Sequence, residues 1–213
     1  TPSGAQTLSK MADRFPEGAY PAFIASGQGA NVWDVDGNKY VDWICGLGAV
    51  TLGHGRPEVD EAVIAAIRAG GPTFSLPTML EAEVAERLID LIPCAEMVRF
   101  TKTGSEAAEA AIRIARAYTK RDVILTCGYH SWHSWYVASK PNHPGVPWEM
   151  GLLVEAFDYN DTKGFSAIMH DGADVAAVII EPTLIDPPKP GFLETIREVT
   201  RALGVVLIFD EMV

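Results

Sequence analysis

From Met97 onward the sequence alternates between two kinds of segment, and that alternation restricts the fold more than any other feature. Short apolar runs, "MVRFT", "DVILTC", "GLLVEAF", "DVAAVIIEP" and "GVVLIFDE", are separated by amphipathic stretches at 104–119, about 161–170 and 191–203. The runs lack a period-2 alternation of apolar and polar residues, so each reads as a strand covered on both faces, as in a parallel sheet. Strands and helices in turn, punctuated by Gly and Pro, predict an α/β domain with a mostly parallel sheet and flanking helices. The last apolar run falls so near the end of the sequence that nothing follows to cover it. A longer parent protein is therefore expected, with the C-terminal part of the sheet missing here.

Upstream the pattern is different. Residues 1–20 predict a short helix and an irregular lead-in. "PAFIASGQGANVWDVDGNKYVDW" holds strand-like pieces between Gly-rich turns, with Asp36-Gly37-Asn38 as a hairpin signal. After Gly53-His54-Gly55, "RPEVDEAVIAAIRAG" and "LPTMLEAEVAERLIDLIP" carry helical spacing, the second ending at Pro93. Residues 1–55 read as a smaller, separate part and 56–213 as the beginning of the α/β domain.

Charge and cysteine usage exclude several classes. The net charge of −11 leaves no basic surface for nucleic acid. The one basic cluster, Arg113, Arg116, Lys120 and Arg121, lies at the C-terminal end of a predicted helix, where it complements the dipole. Three scattered cysteines imply no disulfide framework, and a reducing cytoplasm suits them. The N-terminus has no apolar leader core and no run reaches membrane-spanning length, so no membrane partner is expected.

Three places could carry chemistry. The first is "TGSEAAEAAIRIARAYT", where Thr103 and Glu106 form a capping box and Ala108, Ala111, Ile112 and Ala115 make a buried stripe. A well-capped helix is enough to explain these residues. The same start also suits a phosphate, because Gly104 and Ser105 would present free amides at the positive end of a helix dipole. The second is "LTCGYHSWHSWY", which places Tyr129 at the C-terminal side of a strand, where open α/β sheets bind ligands. Its ring could stack on a flat heterocycle or be an ordinary buried tyrosine. Cys127, His130 and His133 in the same stretch suggest a metal, but supply three ligands where structural zinc takes four.

The third place is "LIFDE", which ends an apolar strand on Asp210. A carboxylate there is costly unless it meets a partner. A protonated ring nitrogen would be one, and such a pair is what pyridoxal 5'-phosphate chemistry needs. In chain order the three places supply a phosphate cradle, a stacking ring and a pyridinium partner.

"GANVWDVDGNKYVDW", "LGHGRPEV", "PTMLEAEVAERL", "VRFTKTGSEAAEAAIRIARAYTKR", "GYHSWHSWY", "IIEP", "GFLETIREVT" and "VLIFDEMV" together cover nearly the whole chain. With them the sequence resembles the N-terminal half of a class III aminotransferase, a fold-type I pyridoxal-phosphate enzyme, nearest to the glutamate-1-semialdehyde aminomutase-like members. The resemblance implies that Gly104 and Ser105 bind the cofactor phosphate. It implies that Tyr129 stacks on the pyridine ring, that His130 supports the turn beside it, and that Asp210 holds the ring nitrogen. Glu181 and Glu211 match acidic positions near the site.

The family's Schiff-base lysine is expected on a later strand, beyond Val213, and no lysine of this chain stands in that context. The resemblance further implies an amino donor and a carbonyl acceptor as substrates, and a homodimer. An intramolecular aminomutase, or a non-catalytic truncated protein of the same fold, are the alternatives. The chain departs from the family pattern at Ser131, where a Gly is usual, and at Leu47, which stands in place of a substrate-facing Trp. It also departs in the short "EPTLIDPPKPGFL" loop and at Val213, where a Gln is common. These differences concern the aminomutase identity rather than the cofactor family.

Overall fold

The computed structural model, which describes residues 4–71, 73–170 and 174–212, separates into two units, one ending at Glu81 and the other running Ala82–Met212. In the first unit, Ile24–Gln28 (β1), Asn31–Asp34 (β2) and Lys39–Val41 (β3) form an antiparallel sheet in the order β1-β2-β3. The helix expected within residues 1–20 is replaced by 3-10 turns at Leu8–Lys10 and Ala12–Arg14.

The expected hairpin turn is built around Asp34. Its buried carboxylate accepts hydrogen bonds from the amides of Asp36 (3.0 Å) and Asn38 (2.8 Å), from Asn38 Nδ2 (2.9 Å) and from the Tyr40 hydroxyl (3.0 Å). Gly37, at φ 84°, takes the left-handed step that closes the turn. The Asn38 side-chain amide, then the Asn38 amide, the Tyr40 hydroxyl and the Asp36 amide, hold the Asp34 carboxyl below its ordinary value against the opposing pull of burial. A carboxyl lowered by folding adds stability that is present above its unfolded pKa and is lost as pH falls through the lower folded value. The β2–β3 turn is thus expected to loosen in acid. Asp34→Asn should abolish that pH dependence, as read by amide exchange at Asn38 across pH 2–6.

The two expected helices follow as Pro57–Arg68 (α1), with Pro at its first position, and Met79–Leu91 (α2). Neither buries a residue, and Val63, Ile67, Leu80 and Leu91 lie exposed on them.

The second unit is the α/β part. Val123–Cys127 (β4), Val154–Ala156 (β5), Val175–Ile180 (β6) and Val206–Phe209 (β7) form an all-parallel sheet in the order β5-β4-β6-β7. Gly104–Thr119 (α3), Ser134–Val137 (α4), Thr162–His170 (α5) and Phe192–Leu203 (α6) accompany it. Alternate residues of the strands face opposite sides. On one face Ile124, Ala177 and Ile179 pack with Ala108, Ile112 and Ala115 of α3 and with Trp135 and Tyr136. On the other, Leu125, Val178 and Ile180 pack with Phe165 and Met169 of α5 and with Phe192 and Ile196 of α6. Every residue of β6 is buried, which is why that run carries no polar residue.

The sheet differs from expectation at three runs. "MVRFT" is not a strand: Met97 is 88% exposed, and no neighbouring strand pairs with it among the described residues. "GLLVEAF" begins inside a 3-10 helix, Trp148–Leu153, and only its three residues Val154–Ala156 pair, at the sheet edge beside β4. "VVLIF" is a strand, but half-exposed rather than fully covered, because among the described residues β7 has β6 as its only strand neighbour. In α3, Ala111 is half-buried while the rest of the predicted stripe is fully buried.

Candidate functional site at the carboxyl edge of the sheet

Helix α3 begins as its sequence indicates. Thr103, with extended backbone, accepts the Glu106 amide at 3.2 Å, and the Glu106 carboxylate accepts the amides of Thr103 (3.1 Å) and Lys102 (2.9 Å). The box thus saturates the amides on either side of the helix start. Those of Gly104 and Ser105, at the first two helical positions, have no acceptor four residues back. None of the described hydrogen bonds uses them. Gly104 is also approached closely: a Cβ there would lie 2.9 Å from Met212 Cε, beyond the end of β7. The α3 amides therefore open beside the carboxyl end of the last strand.

Strand β4 delivers the second element. After Cys127 the chain turns at Gly128 and projects Tyr129, a residue 64% exposed rather than buried. One edge meets Tyr136 at 5.5 Å and 82°, leaving a broad ring surface uncovered. His130 turns the other way and is wholly buried. Its Nε2 lies 3.0 Å from the Cys127 carbonyl oxygen and its Nδ1 2.9 Å from Asp210 Oδ2. A carbonyl oxygen only accepts, so Nε2 is the donor in that contact, while Nδ1 faces the carboxylate. His130 is therefore a rigid link between the end of β4 and the end of β7.

Asp210 continues the ladder, its amide donating to Ile180 O at 2.9 Å, so its carboxylate is set by the sheet itself. That side chain retains 16% exposure and, among the described residues, accepts the Met212 amide (3.3 Å) besides meeting His130. Glu181 follows β6 directly and is half-buried, and Glu211 is exposed. Gly104, Ser105, Tyr129, His130 and Asp210 thus gather along one edge of one sheet. They offer two anion-seeking amides, an open aromatic ring and a carboxylate braced from behind. This set is complementary to a flat cationic heterocycle with an anionic arm.

The metal alternative finds no geometry. Both nitrogens of His130 are committed, and His133 Nδ1 lies 3.7 Å from Glu109. Burial, then the charges of Asp158 and Glu181, push the Cys127 thiol up to about 12, away from the thiolate a metal needs. Among the described residues no group of three or more His, Cys, Asp or Glu could hold an ion. Among them, too, no helix is long and apolar enough to cross a membrane.

One of the departures has a local explanation. Ser131 is buried and its hydroxyl accepts the His133 amide at 2.8 Å, a turn contact that glycine could not supply. Leu47 lies in a run of four left-handed residues, Cys45 to Gly48, and is 41% exposed. Val213 lies outside the described residues. Tyr136 is a residue the sequence reading did not single out. Its hydroxyl donates to Gly128 O at 2.7 Å and its ring meets both Tyr129 and His130 edge-on. A one-turn helix has too few residues to display a period, so no pattern marked it.

Gly104 can be tested separately from the helix it begins. Gly104→Ala is expected to change thermal stability little, since alanine favours the helix while its methyl must displace the flexible Met212 side chain. For a phosphate held by these amides, as the sequence resemblance implies, the added methyl should weaken cofactor binding about tenfold. Parallel melting and equilibrium binding measurements check this.

The model of the class-III aminotransferase family matches residues 15–213. The chain is 40% identical over 205 residues to a 3-aminobutyryl-CoA aminotransferase of Cloacimonas acidaminovorans, covering 93% of this chain and 49% of that protein. It is 40% identical over 212 residues to a glutamate-1-semialdehyde 2,1-aminomutase 2 of Geobacillus kaustophilus, covering 92% and 49%. Among solved structures it superposes on a transaminase with pyridoxal phosphate bound at TM-score 0.82 and 32% identity, over 90% of this chain and 48% of that one. The chain thus spans about half the length of the relatives it matches. Motifs and parallel sheet agree with these likenesses: the chain belongs to the class-III aminotransferase family and carries the fold of the fold-type I pyridoxal-phosphate enzymes.

Proposed function

We propose that the protein containing this chain transfers an amino group between an amino donor and a carbonyl acceptor, with pyridoxal phosphate as cofactor. The observation that carries this reading is the buried His130–Asp210 link beside the free amides of α3. In this reading Gly104 and Ser105 bind the phosphate, and the Thr103–Glu106 box keeps their amides turned outward. Tyr129 covers one face of the ring. Asp210 faces the ring nitrogen as its partner, and His130 keeps Asp210 in place. When bound, pyridoxal phosphate supplies the electron sink for negative charge developing at the substrate carbon. The lysine that would carry the cofactor is not assigned within this chain.

Residues 1–55 then belong to the small domain and 56–213 to the first half of the large one, in a cytoplasmic homodimer. The exposed apolar residues of α1 and α2 support an association of that kind. Identity to an aminomutase supports a second reading, in which the amino group moves within one molecule.

The deciding experiment is isotopic. The full-length protein is incubated with pyridoxal phosphate, a 15N-labelled amino donor and an unlabelled carbonyl acceptor, and products are read by mass spectrometry. Label in the acceptor supports amino transfer between molecules. Label that only changes position within the donor supports the aminomutase. A protein that binds no cofactor and moves no label is the non-catalytic alternative.

A further inference from the structure

Tyr129 is exposed, yet the turn that carries it is tied down on every side. The Cys127 carbonyl accepts His130 Nε2–H at 3.0 Å and the Glu181 amide at 3.2 Å. The Gly128 carbonyl accepts the buried Tyr136 hydroxyl at 2.7 Å. The amide of Tyr129 itself donates to Glu181 Oε2 at 2.7 Å, across 52 residues of sequence. Gly128 makes this last bond possible. Its φ of +111° is open to glycine, and a Cβ on it would collide with the Glu181 carboxylate. The carboxylate is thus inserted where a side chain at 128 would be.

From this geometry we infer that Glu181 is a positioning residue: its carboxylate, anchored on β6, fixes the Tyr129 amide and through it the orientation of the Tyr129 ring. Glu181 follows directly on β6, a strand buried along its whole length and paired on both sides. A charged acceptor on a backbone amide is among the stronger hydrogen bonds, and it acts one residue from the ring it orients. Tyr129, 64% exposed as a residue, has little packing of its own to hold its ring, so the backbone beneath it must do so. The role requires an acceptor at that position and does not require a negative charge. It rests on the reading of this site as one for pyridoxal phosphate.

Glu181→Ala, Glu181→Asp and Glu181→Gln in the full-length protein test it. Two measurements are made: amide exchange at Tyr129, and equilibrium binding of pyridoxamine phosphate, which needs no lysine attachment. Alanine should speed exchange at Tyr129 at least about tenfold while leaving Ile124 and Val178 protected, and should weaken binding about tenfold. Aspartate, one methylene too short, should act as alanine does and carries the test if the alanine variant fails to fold. Glutamine keeps an acceptor oxygen and should restore both readouts to within about threefold. In a Tyr129→Ala background, Glu181→Ala should weaken binding by less than about twofold, since the ring it orients is gone. Unchanged exchange at Tyr129 in the alanine and aspartate variants overturns the inference. So does a glutamine variant as weak as alanine, or a full tenfold loss in the Tyr129→Ala background. If the unmodified protein binds no pyridoxamine phosphate, the cofactor reading falls. The exchange measurement still decides whether Glu181 holds the turn.

Discussion

Asp210→Ala is expected to lower amino transfer by roughly 10²–10⁴-fold and to destabilise the fold as well. His130 is wholly buried, and its Nδ1 has Asp210 as its acceptor at 2.9 Å. Removing one member of a buried pair costs about 3–5 kcal/mol, because the other is left without its partner. At 1.36 kcal/mol per factor of ten, an equal loss at the ligand corresponds to the range stated. Asp210 retains some exposure, so the stability loss should fall at the lower end. Asp210→Asn separates the two effects. Its oxygen can still accept from His130, so the melting temperature should largely recover. It cannot hold a proton on the ring nitrogen with a negative charge, so amino transfer should stay low. Melting curves and label transfer on both variants check this, and activity within tenfold of the parent in Asp210→Ala would refute the assigned role.

Phe165→Ala should produce the largest loss of stability from a single side chain, about 3–5 kcal/mol. Phe165 is fully buried on α5, tilted against Phe157 with ring centroids 5.1 Å apart, in the cluster with Leu125, Val178 and Ile180. Truncation leaves a void between a helix and the two central strands, and strands fixed by their ladders relax little. Against a typical total of about 5–15 kcal/mol this is a large fraction. Ile114→Ala is the matched control. Ile114 is 63% exposed on α3 and should change stability by no more than about 0.5 kcal/mol. Denaturant unfolding of both variants gives the comparison, and a Phe165→Ala loss under 1 kcal/mol would contradict this packing.

Where the sequence was legible, the signal was local. Helix α3 spans the predicted residues because the capping box marks its start and its apolar stripe has the helical period. Helices α5 and α6 begin one residue later than predicted and end where predicted. The apolar runs at β4 and β6 were plain because a doubly covered strand is built almost wholly of apolar residues, Thr126 in β4 being the exception. "MVRFT" and "GLLVEAF" were misread for one reason. An apolar run becomes a strand only if a neighbour pairs with it, and composition does not disclose the neighbour. Tyr129 was ambiguous in sequence between a buried and an open ring, because exposure depends on what packs above the turn.

The sequence by itself determined the class of this protein: a parallel α/β sheet, a glycine-started helix with free amides, and an aspartate ending an apolar strand. Each is written in residues adjacent along the chain, whose spacing is set by helix or strand geometry. Only the tertiary structure decided how these parts act on one another. His130 meets Asp210 across 80 residues, and Glu181 meets the Tyr129 amide across 52. Both contacts arise because β4, β6 and β7 end side by side at one edge of the sheet, and that order is fixed by strand pairing over the whole domain.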